Sequence, residues 1–280
     1  MSKYLITGGE GFIGSRIVQK TSGVSYDIKS GFDILNIESL EKAAIGIDGI
    51  FHCAAKISVP ESISKPNEYY KINVEGTRSV TKIAEDTKSK IVFSSSAAVY
   101  GDTTSAVNEK SLVNPKSPYA QNKIDGENIL KNSPVPHIAL RYFNIYGPGQ
   151  SPQYAGVITS FITNAINGTD LVIFGDGNQV RDFVFVDDIA LANVKAMEYD
   201  NTFFEVFNIG SGIETSINRL AETILQLTNS NSKIVYKPCR PGDIIYSLAD
   251  VSKAERVLKW KAEVSLEDGL KETIKYYQTF

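Results

Sequence analysis

The sequence predicts an α/β fold with a Rossmann-like, doubly wound parallel sheet and a smaller C-terminal α/β lobe. Strand and helix patterns alternate from the N-terminus through Arg141, which is typical of βαβ units. A strand-like segment at 3–7 runs directly into a turn with glycines at positions 8, 11 and 14. The 280 residues, with 42% hydrophobic content, are sufficient to bury a large core in one or two lobes.

The first half of the chain contains the pattern of a parallel sheet with covering helices. Strands are predicted at 3–7, 24–26, 49–52, 90–93 and 138–142. A first helix opens at the glycine-rich turn, and we expect it to be short because Asp27 follows Gly14 closely. Further helices are predicted over about 67 to 87, after Pro66, and over 117 to 131.

Beyond Gly147 the pattern becomes less regular. A turn-forming segment at 175–178 is followed by the strand-like segment 181–188. We therefore predict one domain over residues 1–146 and a smaller lobe over 147–280. Segments such as 183–210 are candidates for a return to the first domain.

The glycine-rich turn predicts a dinucleotide site. The first glycine allows a tight turn, the second lets the backbone approach a pyrophosphate, and the third lets the helix pack against the strand. The phosphates would lie at the N-terminus of the helix, where unpaired amides and the dipole favour negative charge. A structural turn is the alternative, and the strand before and the helix after it favour the dinucleotide.

A carboxylate for the ribose is predicted at Asp27, where the second strand ends. It favours NAD over NADP, although Lys29 and Arg16 are close enough in sequence to soften that preference. An ordinary loop aspartate is the alternative. Asp33 is a candidate for the adenine edge.

Tyr119 precedes Lys123 by one helical turn, so the two side chains project from one face. Lowering the pKa of a tyrosine from about 10 toward neutrality requires about 4 kcal/mol in favour of the phenolate. A cation about 4 Å away supplies roughly that amount at an effective dielectric constant near 20. The spacing therefore predicts a general base, whereas an exposed pair at this spacing usually only solvates a helix.

The predicted strand at 90–93 ends in Ser94-Ser95-Ser96. Open α/β sheets bind ligands beyond the carboxyl ends of their strands, so these serines favour the functional interpretation of Tyr119. A serine hydroxyl there would orient a substrate oxygen.

Composition excludes several classes of function. A net charge of −3 with no basic run argues against a nucleic-acid surface. Two distant cysteines and two histidines predict no disulfide and no metal site. We expect no secretory leader, and no apolar run approaches membrane-spanning length, so a cytoplasmic protein without a membrane partner is expected.

Arg181 and Arg240 stand beside an aspartate and a Pro-Gly turn, respectively. Each alone is more often part of a surface ion pair. Two arginines facing a cofactor cleft would suit the pyrophosphate of a second nucleotide through forked hydrogen bonds.

Together these residues resemble the extended short-chain dehydrogenase/reductase family, in its NAD-dependent epimerase/dehydratase branch. The resemblance covers nearly the whole chain and rests on segments 7–14, 52–55, 73–77, 94–101, Tyr119 with Lys123, 141–148, 175–177, 181–183, 208–210 and 240–243. It implies an NAD-binding domain followed by a nucleotide-sugar-binding lobe.

The resemblance implies a UDP-hexose 4-epimerase that works through a transient 4-keto sugar and bound NADH, with Ser96, Tyr119 and Lys123 as catalytic residues. The implied cofactor-binding residues, besides Tyr119 and Lys123, are Gly8, Gly11, Phe12, Ile13, Gly14, Asp27, Asp33, Ile34, Ala54, Ala55, Asn73, Ser94 and Tyr142. The implied substrate-binding residues are Ser58, Ser95, Ser96, Asn144, Val157, Arg181, Arg240, Asp243 and Ser247.

Related dehydratases carry an Asp-Glu pair where Ala97-Ala98 stand here, which argues against dehydration. A decarboxylase, a 4-keto reductase and a non-catalytic NAD-sensing regulator stay open. Ser247 matches a position that borders the hexose 2-substituent in this family, and a serine leaves room for an N-acetyl group. The resemblance also suggests a homodimer through the helices at 67–87 and 117–131.

Overall fold

The computed structural model describes residues 3–151, 156–200, 203–240 and 243–279. A six-stranded parallel sheet lies at its centre, in the order β10-β5-β4-β3-β1-β2. Its strands are β1 (Tyr4–Thr7), β2 (Val24–Tyr26), β3 (Gly49–His52), β4 (Lys90–Ser96), β5 (Ile138–Tyr142) and β10 (Glu205–Ile209). The order reverses direction at β1 and β3, as in doubly wound sheets.

Helices cover both faces of this sheet. They are α1 (Phe12–Thr21), α2 (Ile37–Ala43), α3 (Val59–Ser64), α4 (Pro66–Tyr70), α5 (Gly76–Thr87), α6 (Pro118–Lys131) and α8 (Val186–Glu198). Because successive strand residues point to opposite faces, Ile6 packs with the cluster that includes Ile17 and Ile189, whereas Leu5 packs with Leu40 and Ile83.

A smaller lobe follows. Its strands are β6 (Asn144–Tyr146), β7 (Leu171–Phe174), β8 (Val180–Arg181), β9 (Phe183–Phe185), β11 (Thr215–Ser216), β12 (Ile234–Lys237) and β13 (Tyr246–Ser247). Its helices are α7 (Val157–Ile166), α9 (Ile217–Thr228) and α11 (Leu266–Tyr277), whereas α10 (Ser252–Leu258) packs against β10 and α8 of the large sheet. The helices α7, α9 and α11 share an apolar cluster with β7 and β9.

The predicted fold class is confirmed, with differences of detail. The helix expected over 67 to 87 consists of α4, a π-helical turn at Lys71–Glu75, and α5. The strand β10 belongs to the large sheet, beside β5, and α8 packs on α1. The division at residue 146 stays a prediction.

Within the described ranges, no helix combines the length and the apolar character needed to cross a membrane. The described residues also contain no group of three or more His, Cys, Asp or Glu side chains that could hold a metal ion.

Two buried histidines, His52 and His137, should make the stability of the fold depend on pH. The Nδ1 atom of His52 lies 2.7 Å from Thr7 Oγ1, and its Nε2 atom lies 3.0 Å from Thr77 Oγ1. Burial lowers the pKa of His52 to about 3, and that of His137 to about 4. These contacts support His52 as a core group.

We predict that His52 contributes to acid destabilisation. Below pH 6.5 the unfolded chain binds a proton at His52 that the folded chain excludes until about pH 3. The free energy of unfolding should therefore fall with decreasing pH by up to about 1.4 kcal/mol per pH unit from this group. Urea unfolding of the wild type and of His52→Gln between about pH 6.5 and 4.5 tests this. Equal pH slopes in the two proteins would contradict it.

Candidate active site

The glycine-rich turn is possible only because side chains are absent from it. Gly8 adopts a φ of +71°, and a Cβ atom there would lie 2.7 Å from the backbone nitrogen of Ala54. A Cβ atom on Gly14 would overlap the carbonyl oxygen of Gly8. The turn, the start of α1 and the loop after β3 thus meet through backbone alone, which leaves the N-terminal amides of α1 open for an anion.

Asp27 ends β2 beside this turn. Its buried carboxylate accepts hydrogen bonds from the backbone nitrogens of Glu10 and Lys29, each at 2.9 Å. The side chain of Asp33 accepts from the Leu35 nitrogen at 2.9 Å. Both carboxylates therefore accept hydrogen bonds from nearby backbone amides, and both line the adjacent cleft.

A cleft with a volume of about 1440 Å³ opens above the turn. Its lining includes the predicted cofactor residues Gly8, Gly11, Phe12, Asp27, Asp33, Ile34, Ala54 and Ala55. The volume exceeds that of pockets for drug-sized ligands, and the side-chain-free turn leaves space for a pyrophosphate. The residues present thus fit a dinucleotide.

Other predicted cofactor residues are held by contacts outside the cleft lining. The Oδ1 atom of Asn73 accepts from the Lys56 nitrogen at 2.8 Å, and its Nδ2 atom donates to the Lys56 oxygen at 2.9 Å. The Tyr142 hydroxyl donates to Asn193 Oδ1 at 3.0 Å and lies 3.3 Å from Ser94 Oγ. Ile13 and Gly14 belong to the first turn of α1. These residues are not among those that line the cleft, and their contact with the cofactor stays a prediction.

Helix α6 carries Tyr119 and Lys123 to the end of β4. Ser117 caps the helix by accepting from the Ala120 nitrogen at 3.2 Å, and Pro118 occupies its first turn. The buried Lys123 ammonium donates to the Ser94 carbonyl oxygen at 2.6 Å and lies 5.7 Å from the centre of the Tyr119 ring. Tyr119 and Lys123 therefore share one face, with the lysine anchored to the strand.

Burial controls the protonation of both groups. It raises the pKa of the Tyr119 phenol, an effect that a hydrogen bond with Ser96 opposes. It lowers the pKa of Lys123 to about 8, against the opposing effects of Cys53 and Glu127. The Lys123 ammonium bonds to a carbonyl oxygen, so burial is opposed at Tyr119 mainly by Ser96. A lowered pKa of this phenol stays a prediction, in which the positive charge of the oxidised nicotinamide ring adds to the effect of the lysine.

The three serines at the end of β4 point in alternate directions. Ser96 bonds to Tyr119 and accepts from the Ala98 nitrogen at 3.2 Å. Ser95, predicted to bind substrate, is buried and donates to Glu127 Oε1 at 2.6 Å. The structure therefore brings Ser96 to Tyr119 and directs Ser95 into the core, because adjacent strand residues face opposite sides.

Several substrate-binding candidates gather in the smaller lobe. Arg181 Nη2 donates to Asp243 Oδ1 at 3.0 Å, and burial lowers the pKa of Arg181. Ser247 is the register partner of Arg181 in parallel strands β8 and β13. The Asn144 amide donates to the Asp182 carbonyl oxygen at 3.1 Å, next to this strand pair. These contacts connect four of the predicted residues, namely Asn144, Arg181, Asp243 and Ser247.

The remaining candidates are more dispersed. The exposed Arg240 guanidinium lies 3.7 Å from the centre of the Phe174 ring, while the following Pro241-Gly242 falls outside the described residues. Ser58 caps α3 by accepting from the Glu61 nitrogen at 3.2 Å. Val157 is the first residue of α7.

The cleft also contains residues that the sequence did not single out as ligands. They include Phe32, Lys56, Lys71, 148–151, Glu272, Lys275, Tyr276 and Thr279. The C-terminal residues come from α11 and the residues just after it, far from the glycine-rich turn in sequence, so no local motif indicates them.

Comparison with known proteins decides the family. Residues 4–210 match the NAD dependent epimerase/dehydratase family. The chain belongs to this family. Its members use NAD and act on nucleotide sugars, and structural neighbours at 26–29% identity have been solved with NAD bound.

Two solved structures and one curated relative illustrate the similarity. The UDP-N-acetylglucosamine 4-epimerase of Methanobrevibacter ruminantium, in complex with UDP-N-acetylmuramic acid, is 35% identical with a TM-score of 0.93, covering 99% of this chain and 98% of that one. The UDP-glucose 4-epimerase of Thermotoga maritima, with UDP-glucose, is 34% identical with a TM-score of 0.92, covering 99% of both chains. The UDP-N-acetyl-alpha-D-glucosaminuronate decarboxylase of Bacillus cytotoxicus is 34% identical over 98% of this chain and 97% of its own length.

We predict that Tyr119→Phe lowers turnover of a nucleotide sugar by about 10²- to 10⁴-fold, the contribution usual for a positioned acid–base group. Binding of NAD should change little, because the substitution removes one hydroxyl and leaves the glycine-rich turn intact. Steady-state rates and NAD affinity should be measured together. Tyr70→Phe, on the half-exposed face of α4, is the matched control. A Tyr119→Phe protein with wild-type turnover would exclude the assigned role.

Proposed function

We propose that this protein is a UDP-hexose 4-epimerase that interconverts UDP-glucose and UDP-galactose, and also UDP-GlcNAc and UDP-GalNAc. The observation that carries the proposal is the placement of Ser96, Tyr119 and Lys123 at the end of β4, with the lysine anchored to Ser94. Ala97-Ala98 follow these serines, where a dehydratase would need an acid and a base.

In the proposed mechanism, Tyr119 removes the proton from the sugar 4-hydroxyl and later returns it. Ser96 bonds to the phenol and orients the same sugar oxygen. The Lys123 ammonium lies beneath the phenol and stabilises its ionised form. NAD, when bound, would supply the group that accepts hydride from C4 of the sugar and gives it back. Rotation of the 4-keto sugar between its formation and its reduction would invert the configuration at C4.

The uridine diphosphate is proposed to bind in the smaller lobe. Arg181, the forked donor, is only 14% exposed and is held by Asp243, so it is already ordered for a phosphate. Asn144 and Arg240 complete the proposed set, and the Arg240 guanidinium is held against the Phe174 ring.

A decarboxylase is the second candidate, since a relative with that activity is 34% identical to this chain. It would share the oxidation at C4 and would differ by loss of a carboxylate from the sugar. A 4-keto reductase would retain the same Ser96, Tyr119 and Lys123 set, whereas an NAD-sensing regulator would not require it.

A direct assay should separate these functions. We expect purified protein incubated with UDP-galactose, or separately with UDP-GalNAc, to form the 4-epimer without net accumulation of NADH. With UDP-glucuronate, release of carbon dioxide would instead support the decarboxylase. Chromatography of the sugars and absorbance at the NADH band give the readouts. Net oxidation or reduction would indicate a reductase, and no conversion with any sugar would favour the regulator.

Ser247 is proposed to set the space for the 2-substituent. It lies beside Arg181, while the hydroxyl of the adjacent Tyr246 contacts Glu214 at the surface. The tyrosine is thus turned away from the face that Ser247 shares with Arg181.

We predict that Ser247→Tyr lowers kcat/KM for UDP-GalNAc by about 10- to 200-fold while sparing UDP-galactose, because a ring would occupy the space of the acetyl group. Ser247→Ala is the control and should leave both rates near wild type. Equal losses for the two sugars would argue against a role in selection.

The oligomeric state and the location of the protein stay predictions. We predict a homodimer through the helices near residues 67–87 and 117–131, and a cytoplasmic location.

A further inference from the structure

The end of helix α11 forms one wall of the dinucleotide cleft. Glu272, Lys275, Tyr276 and Thr279 line the same cleft as the glycine-rich turn. This helix is anchored in the smaller lobe, where Gly269 packs directly against the Tyr146 ring. The cofactor site therefore combines the first and the last helix of the chain.

A bridge of hydrogen bonds joins these two helices. Arg16 Nη2 in α1 donates to the Pro148 carbonyl oxygen at 3.1 Å. The Tyr277 hydroxyl in α11 donates to the Gln150 carbonyl oxygen at 2.7 Å, and Thr159 Oγ1 donates to Gln150 Oε1 at 3.0 Å. Segment 148–151 thus ties α11 to the first turns of α1, where the phosphates of a dinucleotide would lie.

The two cations on this side of the cleft, Arg16 and Lys275, differ in whether they form ion pairs. Arg16 lies 3.6 Å from Asp187, so part of its charge is already neutralised. Lys275 is exposed and forms no ion pair within the described ranges, and Glu272, on the preceding turn, is the acidic group nearest to it in sequence. Lys275 is therefore the cation on this wall that is available to a new anion.

We propose that Lys275 is the counter-charge for the pyrophosphate of NAD, and that α11 thereby retains the cofactor in the cleft. A dinucleotide pyrophosphate carries two negative charges, which the α1 amides and a mobile ammonium would share from opposite sides. The inference rests on the use of NAD and not on which sugar reaction the protein performs.

Cofactor release tests this role without any sugar. Purified protein loaded with NAD is diluted, and free NAD is followed over time by an enzymatic cycling assay. We expect Lys275→Met to release NAD about three- to tenfold faster than wild type. The difference should shrink between ~20 mM and ~500 mM salt, because the interaction is exposed to screening. Lys275→Arg should restore slow release.

Two controls separate a charge effect from a general disturbance. Lys271→Met removes a lysine one turn earlier that pairs with Glu267 outside the cleft, and it should release NAD at the wild-type rate. In competition with NAD, Lys275→Met should weaken binding of ADP and leave that of adenosine unchanged. Wild-type release from Lys275→Met, or equal weakening of ADP and adenosine, would overturn the proposal.

Discussion

The close approach of three backbone segments at Gly8 is the constraint on which the rest of the site depends. A Cβ atom at this position would lie within 3.0 Å of Ala54 and Cys53 backbone atoms, so the end of β1 can meet the loop after β3 only through glycine. Gly14 extends the same contact into α1. The cleft, the α1 amides and the carboxylate of Asp27 all take their positions from this contact.

The sequence predicts the sheet well because its signals are local. Buried strands contain continuous apolar runs, such as Ile91-Val92-Phe93 in β4, and the glycines stand where a strand turns into a helix. The spacing of Tyr119 and Lys123 likewise predicts a shared face. The π-helical turn at 71–75 has no comparable signal, because its residues fit an ordinary helical pattern.

The features of the site that the sequence does not predict are those that depend on tertiary contacts. The partner of Lys123 is a carbonyl oxygen, and backbone acceptors leave no trace in residue identity. The pKa of Tyr119 depends on burial, which a pattern of spacing does not measure. The contribution of α11 to the cleft arises because this helix packs on α7, α9 and β9, while segment 148–151 links it to α1 by hydrogen bonds.

Because Ser95 and Ser96 of β4 face opposite sides, the site depends on the exact number of residues in this strand. Ser95 donates to Glu127, which also forms a buried ion pair with Arg141 at 2.6 Å, while Ser96 serves the phenol. Insertion or deletion of one residue within the strand would exchange these faces. Glu127 would lose a donor in the core at the same time as Tyr119 lost its hydroxyl neighbour. Evolution can thus vary the loops on either side of this strand far more freely than the number of residues within it.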